Sequence, residues 1–107
     1  MKRTTCINSE ISHVIAKMGH FDTLTVGDAG LPVPDGVTRI DLAVRLGLPQ
    51  FKDVLETILS ELKIQKATIA AEMAQSNPEL LAYMEERIAK EGAELVAVPH
   101  EELKRMS

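Results

Sequence analysis

The feature that most constrains this sequence is an alternation of helical and strand-like apolar patterns along its second half. Apolar residues follow helical spacing at Phe51, Val54, Leu55, Ile58, Leu59 and Leu62. A short apolar segment spans 64–71, Asn77-Pro78 opens a second helical pattern, and another apolar segment spans 93–98. Helices that alternate with short apolar strands are typical of an α/β fold with a largely parallel sheet.

The first half predicts one helix and two further strands. Asn8-Ser9 is a capping signal, and the apolar residues of the helix it opens are Ile11, Val14, Ile15 and Met18. Residues 22–26 alternate polar and apolar side chains, as a strand with one buried face does, and 37–44 is a second strand candidate. Pro49 suits the first position of the helix that follows it. A last helical turn is predicted at 100–104.

Composition excludes several classes of function. The 107 residues suffice for one domain, and with 3% aromatic residues its core is built from aliphatic side chains. A net charge of -4 argues against binding nucleic acid, which requires clustered Lys and Arg. The single Cys6 cannot form an internal disulfide, and no apolar run approaches the ~20 residues of a membrane span. We therefore expect a cytoplasmic protein.

Two side chains of the first half are candidates for chemistry. Asp28 stands where the first predicted strand becomes a glycine-flanked loop, the edge at which α/β folds bind ligands. Its carboxylate is suited to bind a hydroxyl, although local sequence favours a simple turn-capping role. His20 follows Gly19 at a helix end, and histidine is a side chain suited to acid–base catalysis. Taken alone, the position favours an ordinary helix-end cation.

The remaining patterns predict neither a metal nor a nucleotide cofactor. His13 and His20 would lie about 10 Å apart along a helix, whereas each zinc ligand lies about 2 Å from its metal. The segment 27–30 is too short for a dinucleotide fingerprint or a phosphate-binding loop. Glu72, at the end of the third strand candidate, either faces the same cleft as Asp28 or is a solvated loop carboxylate, and the second alternative is favoured.

Taken in order, several motifs resemble the D-ribose pyranase family. These motifs are Asn8-Ser-Glu-Ile-Ser12, Gly19-His-Phe-Asp22, Asp28-Ala-Gly-Leu-Pro-Val-Pro-Asp-Gly36, Arg39-Ile-Asp-Leu-Ala-Val44, Gly47-Leu-Pro49, Ala71-Glu72, Asn77-Pro-Glu-Leu80 and His100-Glu-Glu-Leu-Lys104. The resemblance covers essentially the whole chain. The Asp-Ala-Gly-Leu-Pro block followed by Arg-Ile-Asp-Leu also separates it from the related fucose mutarotases.

The resemblance implies a single domain over 1–107 with three α/β/α layers and a mixed, largely parallel sheet. It also implies cofactor-free interconversion of the β-pyranose and β-furanose forms of D-ribose in a homo-oligomeric ring, a pentamer or a decamer. The family's catalytic histidine matches His20, and its sugar-binding aspartate and second histidine match Asp28 and His100. Lys104, one helical turn beyond His100, is expected to reach the same sugar.

The resemblance departs from the family pattern at the end of the sequence. Family members continue through a Thr-Gly-Glu segment and a Pro-Tyr-Ala-Asn strand that completes the sugar site, whereas this sequence stops at Ser107. We expect either a shortened sequence of a longer protein or a variant with altered activity. The alternatives to a ribose pyranase are a non-catalytic sugar-binding or assembly subunit and a mutarotase for another sugar, such as fucose.

Overall fold

The computed structural model describes residues 2–28 and 31–106. They form two compact units, Met1–Leu62 and Lys63–Ser107. In chain order the elements are α1 (Ser9–Lys17), α2 (Phe51–Leu59), β1 (Lys66–Ala70), α3 (Met73–Ser76), α4 (Pro78–Lys90), β2 (Glu94–Val98) and α5 (His100–Met106). In the part of the chain that the structure describes, no helix has the length and apolar character needed to cross a membrane.

Helix α1 begins as its sequence predicts and ends at Lys17, one residue before the predicted Met18. The Asn8 side-chain oxygen Oδ1 accepts a hydrogen bond from the Ile11 backbone N–H at 2.9 Å, which satisfies a donor that has no partner inside the helix. At the other end Met18 leaves the helical region with ψ 127°. Gly19 therefore begins a new turn directly after the helix.

The core of the first unit is small and aliphatic. Cys6, Ile11 and Ile58 are buried at its centre. The half-buried residues that pack against them are Ile15, Leu24, Val26, Ile40, Leu42, Val54 and Leu62. This core draws on α1, α2 and the irregular chain between the two helices, together with Cys6 before α1 and Leu62 after α2.

The strands predicted at 22–26 and 37–44 are not present as strands, so these two predictions are wrong. The first segment nevertheless has the predicted alternation of burial: Leu24 and Val26 pack on the core, whereas Thr23 and Thr25 are exposed. A strand requires hydrogen-bonded pairing with a neighbour as well as an apolar face. Among the described residues of these segments, no such ladder forms.

A tight reversal precedes α2. Arg45 and Leu48 form an isolated antiparallel bridge, with the Leu48 N–H donating to the Arg45 carbonyl at 2.9 Å. Gly47 has a φ of 80°, a conformation that other residues rarely adopt. The N-cap of α2 is Gln50, whose carbonyl accepts the Val54 N–H at 3.3 Å, so the helix starts later than Pro49.

The start of the chain is tied to the first unit by one lysine. Lys2 Nζ donates to Ser12 Oγ at 2.8 Å and to Glu61 Oε1 at 3.0 Å. The hydrogen bond from Lys2 lowers the pKa of Glu61 below its ordinary value, against the opposing effect of desolvation. Lys2 thereby connects the first residues to α1 and to the segment after α2.

The second unit is a β-α-β arrangement that agrees with the sequence prediction. Strands β1 and β2 pair in parallel, from Lys66 opposite Glu94 to Ala70 opposite Val98. Helix α4 connects them, and Asn77 Oδ1 caps it by accepting the Leu80 N–H at 3.1 Å. The buried residues of this unit are Ile69, Met84 and Ile88.

The single-turn helix α3 was not predicted. It lies between β1 and α4, and its N-cap is Glu72. The Glu72 carbonyl accepts the backbone N–H groups of Gln75 and Ser76, each at 3.0 Å, and also the Ser76 hydroxyl at 3.1 Å. These three hydrogen bonds fix the backbone of Glu72 directly beyond the end of β1.

Candidate active site

His20 lies in a four-residue turn, Gly19 to Asp22, directly after α1. The Asp22 backbone N–H donates to the Gly19 carbonyl at 3.2 Å. In the reverse direction the Gly19 N–H donates to the Asp22 carboxylate oxygen Oδ2 at 2.7 Å. Asp22 thus closes the turn with both its backbone and its side chain, and His20 and Phe21 at the tip are exposed.

The His20 ring contacts the ring of its neighbour. The two ring centroids are 4.9 Å apart with an interplanar angle of 76°, an edge-to-face arrangement that aromatic pairs favour. Phe21 is itself 92% exposed, so this contact is formed at the surface of the unit. The turn therefore presents an imidazole with a defined aromatic neighbour to the space around it.

Asp28 follows a glycine that is crowded by the next turn. The Leu31 N–H donates to the Asp28 carbonyl at 3.1 Å. A Cβ at Gly27 would lie 2.6 Å from Leu31 Cδ2 and 3.2 Å from Leu31 Cβ, closer than such atoms pack. Asp28 is exposed. The predicted turn-capping role of its carboxylate involves residues 29 and 30, which lie outside the described residues.

His100 and Lys104 lie one helical turn apart on α5, and both are exposed. This spacing places them on the same face of the helix. The His100 backbone N–H donates to both carboxylate oxygens of Glu72, each at 3.1 Å and 28 residues away in sequence. The helix that carries the two predicted sugar-binding residues of the second unit is thus held at its first residue.

Asp22 and Glu72 are the residues whose importance the sequence did not reveal. For Asp22 the available signal was local, because aspartate often bonds a backbone amide nearby in the chain. Glu72 is exposed, as its favoured assignment to a solvated carboxylate predicts, and it also bonds the His100 backbone, which was not predicted. No sequence spacing signals a hydrogen bond over that separation. Across residues 2–28 and 31–106, no three His, Cys, Asp or Glu side chains are grouped as a metal site.

Comparison with known proteins shows which family the chain belongs to. The sequence profile of the RbsD / FucU transport protein family matches residues 1–107. The chain belongs to this family. The predicted family resemblance, which placed the sequence among D-ribose pyranases and beside the fucose mutarotases, is therefore confirmed.

Curated relatives in this family are named D-ribose pyranase. The protein from Thermoanaerobacter sp. (strain X514) is 50% identical over 107 residues, which are 100% of this chain and 80% of that protein. The one from Levilactobacillus brevis is 51% identical over 105 residues, covering 98% of this chain and 79% of that protein. These relatives are longer than the sequence described here.

A solved structure has the same fold. The structure of Bacillus subtilis RbsD complexed with D-ribose matches with a TM-score of 0.91 and 38% sequence identity, over 99% of this chain and 79% of that one. This likeness confirms the predicted fold class, an RbsD-like α/β fold. Within this chain, the described sheet is the parallel pair of β1 and β2.

Proposed function

We propose that this chain is a D-ribose pyranase, an isomerase that interconverts the β-pyranose and β-furanose forms of D-ribose without a cofactor. The observation that carries the proposal is 50% identity to a D-ribose pyranase over all 107 residues. The likeness to an RbsD structure containing D-ribose supports ribose as the sugar.

The reaction is an isomerisation whose steps require only proton transfers. A proton is delivered to the ring oxygen as another leaves the anomeric hydroxyl, and the C1–O5 bond of the pyranose breaks to give an aldehyde. The O4 hydroxyl then attacks C1, its proton is removed, and the carbonyl oxygen is protonated to form the furanose. No net proton or electron is exchanged, so one group that both donates and accepts protons near neutrality is suited to the reaction.

We assign these proton transfers to His20. Its exposed position at the tip of a turn closed by Asp22 supports the assignment, because a fixed backbone limits how far the imidazole can move from the sugar. Asp28 accepts hydrogen bonds from sugar hydroxyls. His100 and Lys104 bind further hydroxyls from one face of α5. Each of the four residues is proposed to act on the sugar.

The activity is tested by saturation-transfer NMR on D-ribose at equilibrium. The rate of pyranose-to-furanose exchange is expected to rise linearly with protein concentration above the spontaneous rate. His20→Ala is expected to reduce the added rate by on the order of 10² to 10⁴. An unchanged rate in that variant would refute the role of His20. Acceleration of fucose exchange but not of ribose exchange would refute the choice of sugar.

We propose further that the enzyme is a cytoplasmic homo-oligomer, with a pentameric or decameric ring as its form. Exposed apolar side chains support association, since Leu46 is 102% and Val44 74% exposed in the reversal before α2. The single cysteine is compatible with a reducing compartment. Light scattering after size exclusion gives the assembly mass, which Leu46→Ser is expected to lower. A wild-type protein that elutes as a monomer would refute the ring.

A further inference from the structure

We infer that Glu72 is a positioning residue for the sugar site, acting through the backbone of His100. The inference rests on the proposed function, because His100 and Lys104 are sugar-binding residues only under that function. Both carboxylate oxygens of Glu72 accept the His100 N–H, each at 3.1 Å. This is a hydrogen bond between a charged acceptor and a backbone donor at the first residue of α5.

The donor in this hydrogen bond has no alternative partner within its own helix. The first N–H groups of a helix lack an acceptor one turn earlier, so another part of the chain or water must supply one. At the next positions of α5, the N–H groups of Glu102 and Leu103 donate to the Pro99 carbonyl at 2.9 and 3.0 Å. Glu72 therefore supplies the acceptor for the residue that also carries the proposed sugar-binding imidazole.

The backbone of Glu72 is held in place independently of its side chain. The Glu72 carbonyl accepts three hydrogen bonds from α3, from Gln75 N–H, Ser76 N–H and Ser76 Oγ. One residue earlier, the Ala71 N–H donates to the Val98 carbonyl at 2.7 Å, which continues the parallel pairing of β1 and β2. The two segments are thus joined at Ala71–Val98 and again at Glu72–His100.

The placement of Glu72 predicts a particular kinetic signature. Its carboxylate contacts a backbone amide, and the groups proposed to touch sugar are on the side chains of α5. Loss of the contact therefore loosens the start of α5 and with it the imidazole of His100, while His20 and its turn are unaltered. We expect sugar binding to weaken and the chemical step to be largely preserved.

Three variants of the full chain test the inference. In Glu72→Ala the acceptor is lost, and KM for ribose is expected to rise by roughly fivefold to tenfold, with kcat within about twofold. Glu72→Gln retains one oxygen that can accept the His100 N–H, so part of the lost affinity is expected to return. Glu79→Gln, at the exposed first turn of α4, is the matched control and is expected to resemble wild type.

A backbone readout separates positioning from a general loss of stability. The His100 amide is expected to exchange with solvent faster in Glu72→Ala than in wild type or Glu79→Gln, as followed by NMR hydrogen exchange. Unchanged KM and unchanged His100 exchange in Glu72→Ala would overturn the inference. If Glu72→Ala does not fold, Glu72→Met, which keeps the side-chain length but has no oxygen to accept the His100 N–H, decides: KM and amide exchange equal to wild type would overturn the inference.

Failure of the inference and failure of the proposed function give different results. If wild-type protein accelerates exchange and both Glu72 variants match Glu79→Gln, the function stands and the role of Glu72 is refuted. If wild-type protein accelerates no exchange, the function is refuted. Ribose titration calorimetry with the same variants then tests the inference, which requires weaker binding in Glu72→Ala and is overturned if the affinities are equal.

Discussion

The two units each hold a histidine-bearing segment with a carboxylate, and they do so by different means. In the first unit Asp22 bonds the Gly19 amide three residues away, at 2.7 Å. In the second, Glu72 bonds the His100 amide 28 residues away, at 3.1 Å. The first connection is local and closes a turn, whereas the second continues a set of hydrogen bonds that already joins β1 to β2.

The difference indicates which substitutions are expected to loosen the segment that carries each histidine. The turn that carries His20 loses its one side-chain hydrogen bond when Asp22 is substituted, and only the bond from the Asp22 N–H to the Gly19 carbonyl then closes it. The segment that carries His100 keeps the Ala71–Val98 bond and the strand pairing even when Glu72 is removed. We therefore expect Asp22 to be the less replaceable of the two carboxylates, because its loss affects the residue assigned to proton transfer.

The largest effects on kcat and KM are expected from two single variants, in which His20 or His100 is replaced by alanine. His20→Ala should lower kcat by on the order of 10² to 10⁴ with little change in KM, because it removes the proton-transferring group. His100→Ala should instead raise KM by about tenfold, the cost of one lost hydrogen bond to the sugar. Saturation-transfer rates over a range of ribose concentrations separate the two parameters. A similar loss of kcat in both variants would remove the proposed division between the units.

Asp22 should give the next largest effect. Asp22→Ala removes the acceptor of the Gly19 N–H, and the less constrained His20 is expected to lower kcat by roughly tenfold. Asp22→Asn keeps a neutral acceptor oxygen and should fall between Asp22→Ala and wild type. Asp35→Asn, in another exposed turn, is the control and is expected to keep wild-type rates. If Asp22→Ala and Asp35→Asn behave alike, side-chain closure of the His20 turn does not matter for catalysis.

Gly27 tests whether close packing positions Asp28. Gly27→Ala places a methyl 2.6 Å from Leu31 Cδ2, so the Leu31 side chain must move, and KM is expected to rise by about fivefold if Asp28 depends on this packing. The double variant Gly27→Ala with Leu31→Ala removes the nearest atoms and should recover part of the affinity. Ribose affinity by calorimetry provides the measurement. Equal affinity of Gly27→Ala and wild type would show that Asp28 does not depend on this contact.

The smallest expected effect is on the melting temperature, and its dependence on pH is expected to distinguish an ion pair of the first unit from a hydrogen bond of the second. Because Lys2 lowers the pKa of Glu61 from its ordinary 4.5, the pair stabilises the folded state above that pH. This contribution is lost as pH falls through the lower pKa of the folded protein. Lys2→Met should therefore lower the melting temperature slightly near neutrality, with the difference shrinking in acid. Thermal unfolding followed by circular dichroism over this pH range measures it.

The second unit supplies the control for that measurement. Lys63 Nζ donates to the Glu91 backbone carbonyl at 3.1 Å, and a carbonyl does not titrate. Any destabilisation by Lys63→Met should therefore be nearly independent of pH between about 7 and 4. A difference for Lys2→Met that stays constant in acid would contradict the assigned role of Glu61.

The same contrast explains how much could be predicted from the sequence. The second unit was predicted well, because Asn77-Pro78 caps a helix locally and β1 and β2 pair as two apolar segments joined by that helix. The first unit was predicted less well. The alternation at 22–26 correctly placed Leu24 and Val26 toward the core, yet alternation reports which face is buried and says nothing of hydrogen-bonded partners.

For the candidate site too, local patterns could be predicted from the sequence and contacts between distant residues could not. The family motifs are the basis for proposing His20, Asp28, His100 and Lys104. Such motifs contain no information on distances between residues, and the roles of the four residues stay predictions. The supports around them were missed for physical reasons. The Glu72–His100 bond depends on how strands are paired, and the crowding of Gly27 by Leu31 depends on side-chain packing. Neither is encoded in the spacing of residue types along the chain.

The edge-to-face contact between His20 and Phe21 gives the protein an internal spectroscopic probe. The chain has 3 histidines and 2 phenylalanines, so its imidazole resonances are few enough to resolve one by one. With a phenyl ring centroid 4.9 Å away, the His20 protons lie in a ring current that should displace their chemical shifts. Addition of ribose should change the chemical shifts of these His20 protons. The aromatic neighbour therefore allows the protonation and occupancy of one imidazole to be followed without any label attached.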